Sequence, residues 1–111
     1  MNSTELRLQA ECFQWHWNTF PDQRKRLFMV HNNPRNAIDG NRLKAAGMVA
    51  GVADLQYLRP FKTPLFIEMK LPGETQSAVQ IDFEALSKSI GCDYVVADSF
   101  ERFKEVILNN Q

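Results

Sequence analysis

The stretch Gly51-Val52-Ala53-Asp54-Leu55-Gln56-Tyr57-Leu58-Arg59-Pro60-Phe61-Lys62-Thr63-Pro64-Leu65-Phe66-Ile67-Glu68-Met69-Lys70 decides how this chain folds. Its two ends, Ala53 to Leu58 and Leu65 to Lys70, are rich in residues that suit a strand and are separated by a short segment with two prolines. The shortness of that segment predicts a hairpin. Successive strand residues point to opposite faces, so Glu68 and Lys70 project together, and in a hairpin Asp54 lies beside Glu68 on the neighbouring strand.

Outward from this pair the pattern alternates. Residues 4 to 19 read as a helix capped by Ser3 or Thr4 and stopped by Pro21; Leu6, Leu8, Cys12, Phe13, Trp15 and Trp17 give it a broad apolar face. Trp15 and Trp17 are too close in sequence to share one face, so one of them is expected at the surface. Leu27-Phe28-Met29-Val30, before Asn32-Asn33-Pro34, reads as a buried strand. Asn36 to Ala46, which carries Ile38, Leu43 and Ala46, reads as a helix ended by Gly47. Beyond the hairpin, Ser77 to Ile90 reads as a helix with a Ser77/Gln80 capping box and a terminal Gly91. Tyr94 to Ala97 is an apolar strand. Ser99 to Leu108 is a last helix with Phe100, Phe103, Val106 and Ile107 inward. The predicted order is αβαββαβα: a single α/β domain over residues 1–111 with a central mixed sheet flanked by helices.

Composition agrees with a globular chain. Of the 111 residues, 44% are hydrophobic and 23% charged, enough apolar material for a core. No apolar run reaches the roughly 18 residues of a membrane helix, and the polar N-terminus lacks the order of a secretion signal. Cys12 and Cys92 stand apart with no metal-type spacing, which points to reduced thiols and a cytoplasmic setting. Thirteen Lys and Arg balance thirteen Asp and Glu. A neutral chain is an unusual pure nucleic-acid binder, but carboxylates that hold metal ions would cancel basic residues that hold phosphates.

Glu68 and Lys70 carry charge into an otherwise apolar strand, which is costly unless the charges are paired or meet a cation. Asp54 and Glu68 offer hard oxygen ligands of the kind Mg²⁺ or Mn²⁺ takes, with the Met69 carbonyl as an extra ligand, and Lys70 could orient an attacking water and offset transition-state charge in phosphodiester hydrolysis. Spacing alone leaves the commoner alternative, an exposed Glu68–Lys70 ion pair, in place.

Three segments in order shift that balance: Gly47-Met48-Val49-Ala50-Gly51-Val52-Ala53-Asp54-Leu55, then Phe66-Ile67-Glu68-Met69-Lys70, then Gln76-Ser77-Ala78-Val79-Gln80. Together they resemble the VRR-NUC family of the PD-(D/E)XK nuclease superfamily, over most of the chain. The resemblance implies a restriction-endonuclease-like fold. It makes Asp54 the metal-binding aspartate, Glu68 and Lys70 the E-x-K pair, and Gln80 the family's glutamine facing the active centre. Glu5, followed by Gln9, matches a glutamate and glutamine on the first helix of the family; Glu11 competes and Glu5 is preferred. The resemblance departs at Ala53, where the family shows proline, and at Asn32-Asn33-Pro34-Arg35, where it shows a more glycine-rich loop.

The resemblance further implies a metal-dependent DNA endonuclease. Its substrate would be branched or structured DNA in replication or repair, in a bacterial or phage-infected cell. Stand-alone members resemble Holliday-junction resolvases, so a homodimer is implied, with an exposed tryptophan beside Phe13 and Phe20 as a candidate subunit contact. Arg35, Arg42, Lys44 and Ser77 are candidate DNA contacts. Arg24-Lys25-Arg26 reads as a solvated turn, and His31 as a partly buried structural histidine. Two other classes remain: a DNA-binding module of the same fold with weak catalysis, and an α/β interaction protein.

Overall fold

The computed structural model describes residues 3–31 and 34–111; at Ser3 it describes the backbone only. In order come α1 (Ser3–Thr19), a single 3-10 turn (Pro21–Gln23), β1 (Leu27–Met29), α2 (Ala37–Ala45), β2 (Leu55–Tyr57), β3 (Leu65–Met69), α3 (Ala78–Ser89), β4 (Tyr94–Ala97) and α4 (Phe100–Leu108). The order predicted from sequence is the order observed. Strands β1 to β4 lie side by side in sequence order, with β1–β2 and β2–β3 antiparallel and β3–β4 parallel, so the sheet is mixed. The hairpin is present: Leu55 pairs with Ile67 and Tyr57 with Leu65. The parallel β3–β4 pair needs a crossover, and α3 supplies it.

Strand alternation sorts the two faces. Leu55, Tyr57, Leu65, Ile67, Met69 and Ala97 face a core completed by Cys12 of α1 and Phe103, Val106 and Ile107 of α4. The opposite face takes α3, where Phe83 stacks edge-on against Phe66 with centroids 5.1 Å apart. Local signals fixed the helix ends. Asn36 caps α2 by accepting from the Asp39 N–H (2.8 Å), Ser77 and Gln80 form the capping box of α3, and Ser99 caps α4. No helix among the described residues is long and apolar enough to cross a membrane.

Several local expectations need correction. The buried stripe of α1 is Glu5, Gln9, Cys12 and His16, whereas Leu6 and Trp17 are exposed. Trp15 turns inward onto Phe20, Phe100 and Phe103. The expected cap residues Ser3 and Thr4 both lie within α1, and Ser3's side chain falls outside the described residues. In α2 the buried residues are Asp39 and Gly40, while Ile38 is 77% exposed. Strand β1 is an edge strand, so Leu27 is buried but Met29 is 56% exposed. His31 is exposed rather than partly buried; the buried histidine is His16. Arg24 and Lys25 are exposed in their turn, and Arg26, half-buried, donates from Nε to the Leu58 carbonyl (2.9 Å). The Asn32-Asn33 part of the loop before α2 lies outside the described residues.

Candidate active site

The hairpin brings the charged residues together at one end of the sheet. Asp54 stands just before β2, where the Leu55–Ile67 register carries it opposite Glu68. Its main chain is pinned by the Val30 N–H, which donates to the Asp54 carbonyl (2.9 Å). Its side chain is pinned by the Met69 N–H, which donates to Oδ2 (2.7 Å). Burial, opposed by that N–H and assisted by the charges of Glu68 and Glu5, pushes the Asp54 carboxyl up to about 6. The nearby Lys70 ammonium pulls the other way with the smallest effect. Ionisation therefore costs more here than at an exposed aspartate, and a nearby cation would offset that cost.

Glu68 is 1% exposed. Its Oε1 accepts from the Tyr94 hydroxyl (2.5 Å), and its Oε2 is buried with no hydrogen-bond partner among the described residues. A buried carboxylate oxygen without a donor is expensive, and it marks where a cation would be accommodated. Lys70 follows β3 directly and its N–H donates to the Ala97 carbonyl (3.1 Å), which fixes it at the mouth of the site.

In front of these groups lies a cleft of about 340 Å³, lined in part by Glu5, Lys44, Asp54, Lys70, Ser77 and Gln80. Glu5 reaches it from the first turn of α1 and Glu11 does not, since Glu11 lines a separate surface hollow with Arg7 and Gln14. The first turn of α3 forms one wall. There Gln80 Oε1 accepts from the Ser77 N–H (2.8 Å), so that oxygen is already committed to the helix cap. The wall comes close because Gly51 has no side chain. At φ +89° a Cβ on Gly51 would sit 2.3 Å from the Val79 carbonyl oxygen.

Several candidates lie apart from the cleft. Arg35, just before the Asn36 cap of α2, and Arg42, within the helix, are exposed, each paired with Asp39 (3.6 and 3.7 Å). Neither lines the cleft, and neither do Glu68 and Met69, both of which are buried. Among the described residues no three His, Cys, Asp or Glu side chains are grouped as they would be around a metal ion. The donor set that fits a hard cation is thus Asp54 and the orphan oxygen of Glu68, with backbone carbonyl and water completing it, as Mg²⁺ tolerates. Sequence reasoning did not find the Tyr94 hydroxyl on Glu68. Only the β3–β4 register, Phe66 beside Tyr94, puts it there.

No protein-family model matches the sequence, and no curated protein is a detectable relative. Among solved structures, the chain is similar to a "VRR_NUC domain protein" with TM-score 0.75 and 21% identity, over 99% of this chain and 89% of that one. The likeness shows the fold alone: a mixed four-stranded sheet flanked by helices, arranged as in that VRR_NUC domain protein.

Proposed function

We propose that this domain is a nuclease that hydrolyses phosphodiester bonds in DNA with the help of Mg²⁺ or Mn²⁺. The observation that carries the reading is the juxtaposition of Asp54 and the partnerless Glu68 Oε2, with Lys70 at the adjoining cleft. Asp54 and Glu68 would hold the cation, with the Met69 carbonyl and Glu5 as the further candidates. When bound, the ion supplies charge neutralisation at the phosphate and lowers the pKa of a water.

The chain's own residues do the rest. Lys70 lines the cleft, where its ammonium would orient the attacking water and offset the charge that grows on the phosphate oxygens. Lys44 lies on the same cleft and would hold a neighbouring phosphate. Ser77 and Gln80 shape the wall at the N-terminus of α3, an end that favours anions. Arg35 and Arg42 would contact the DNA backbone outside the cleft. Branched or structured DNA, a role in replication or repair in a bacterial or phage-infected cell, and a two-fold dimer belong to the same proposal. The dimer draws support from the exposed Leu6, Trp17, Phe28 and Met29, which line one apolar groove between α1 and the free edge of β1.

A second reading has an observation in its favour. Glu68 is buried and does not line the cleft, which suits a DNA-binding module with weak catalysis. One experiment separates the two. Supercoiled plasmid and a synthetic four-way junction are incubated with the protein in Mg²⁺, Mn²⁺ or EDTA, beside Asp54→Ala and Lys70→Ala. The nuclease reading expects metal-dependent cleavage that both variants lose. Binding without cleavage in every metal establishes the second reading instead.

A further inference from the structure

We propose that Tyr94 is a positioning residue that keeps Glu68 a monodentate ligand and thereby makes the site favour Mg²⁺ over Ca²⁺. The inference rests on the assignment of Glu68 to the metal site made above.

Tyr94 opens β4 directly beside Phe66, two residues before the position that pairs with Glu68. Phe66, Glu68 and Tyr94 therefore share the face of the sheet that α3 covers. The ring is buried and leans on Phe83 (centroids 6.1 Å apart), which is itself stacked on Phe66. A ring wedged between a strand and a helix has little rotameric freedom, so its hydroxyl oxygen stays in one place. Its single proton goes to Glu68 Oε1 at 2.5 Å. From the far side Gln76 Nε2 donates weakly to the same hydroxyl oxygen (3.5 Å) and more closely to Glu84 Oε1 (2.9 Å). The hydroxyl thus meets a donor behind it and the carboxylate in front.

The consequence is an inequality between the two oxygens of Glu68. Oε1 is engaged; Oε2 is buried and has no partner among the described residues. A carboxylate held this way offers one oxygen to a cation. Mg²⁺ accepts single oxygens in near-ideal octahedral geometry and keeps several waters, whereas Ca²⁺ takes six to eight oxygens and often both oxygens of a carboxylate. Holding Oε1 on Tyr94 withholds the second oxygen that Ca²⁺ would use. Tyr94→Phe keeps the ring contacts with Phe83 and removes only the hydroxyl, which frees Glu68 to chelate.

The test is isothermal titration calorimetry of the whole chain with MgCl₂ and with CaCl₂, on the wild type, Tyr94→Phe and Glu68→Gln. Wild type should bind Mg²⁺ more tightly than Ca²⁺. In Tyr94→Phe the ratio of Ca²⁺ to Mg²⁺ affinity should rise roughly tenfold, the size of effect that losing a ligand's supporting hydrogen bond has on a metal site. Glu68→Gln should weaken both ions. An unchanged ratio in folded Tyr94→Phe, with Mg²⁺ still bound by wild type, overturns this inference and leaves the metal site standing. Wild type that binds neither ion overturns both. Should Tyr94→Phe not fold, wild type decides by itself: Ca²⁺ binding as tight as Mg²⁺ overturns the proposed preference and with it this inference.

Discussion

At Gly51 one missing carbon sets the width of the site. With φ at +89° and the Val79 carbonyl oxygen 2.3 Å from where a Cβ would stand, alanine meets both backbone strain and backbone atoms that cannot step aside. Gly73 has a similar φ of +85° but open space around it. Gly51→Ala should therefore cost about 3 kcal/mol, the sum of a left-handed backbone penalty and overpacking, and Gly73→Ala about 1 kcal/mol. Thermal denaturation of the pair checks this, and equal losses would show that the contact with α3 is unimportant.

Asp54 gives a second residue-level prediction. Its folded pKa, about 6, lies above the ordinary 3.8, so the fold favours the neutral acid. That contribution is fully present below 3.8 and is lost as pH rises through about 6. In metal-free buffer at pH ~7, Asp54→Asn should be more stable than wild type, by about 1–2 kcal/mol after allowance for solvent screening. The amide oxygen can still accept from the Met69 N–H. A variant less stable than wild type would mean that the charge is not strained.

At the scale of elements, two buried polar arrangements hold pieces that the apolar core does not. Arg59, following β2, has a side chain 3% exposed and donates to the Thr63 carbonyl (3.0 and 2.7 Å), to Asp93 (3.0 Å) and to Asn110 (3.0 Å). One guanidinium thus ties the hairpin turn to the start of β4 and the end of α4. Arg59→Ala should cost about 3 kcal/mol, since several charge-assisted bonds are lost together. Urea denaturation measures it, and a loss below about 1 kcal/mol would reduce the clamp to an ordinary surface pair.

The second arrangement joins α1 to the 3-10 turn, β2 and the chain end. His16 Nε2 meets Gln23 Oε1 (3.1 Å), which also accepts from the Tyr57 hydroxyl (2.6 Å), while Gln23 Nε2 donates to Gln111 Oε1 (2.8 Å). Burial holds the His16 pKa below the usual 6.5, against a smaller opposite pull from Gln23. A lowered folded pKa means that His16 supports the fold above 6.5 and that this support is lost as pH falls below it. The trend runs opposite to that of Asp54. In Asp54→Asn the His16 slope stands alone, so the urea midpoint of that variant should drop on acidification from pH ~7 to ~5. Adding His16→Gln should flatten the slope; a slope that persists assigns it elsewhere.

At the scale of the whole molecule, the proposed function would make the site couple metal, proton and fold. Ligands must shed protons to bind a cation, and anything that binds only the native state stabilises it. Asp54 titrates near 6, so MgCl₂ should raise the melting temperature more at pH ~7 than at pH ~5, with EDTA as the reference. A larger rise at the lower pH would remove Asp54 from the metal site.

The sequence by itself determined the element order, because helix and strand periods, caps such as Asn36, Ser77 and Ser99, and stops such as Gly47 and Gly91 act within a few residues. It also determined that Asp54 and Glu68 meet, because a short antiparallel hairpin leaves little choice of register. Tertiary structure alone decided the rest. It chose the polar stripe Glu5, Gln9, Cys12 and His16 as the inward face of α1, and left Ile38 and Met29 at the surface. Burial depends on which elements lie alongside, not on how apolar a residue is. It set Gly51 against Val79, and it placed the Tyr94 hydroxyl on Glu68, residues 26 positions apart. No local rule reaches across that distance: a parallel pair joined through α3 takes its register from packing, and with it the inequality of the two Glu68 oxygens beside Asp54.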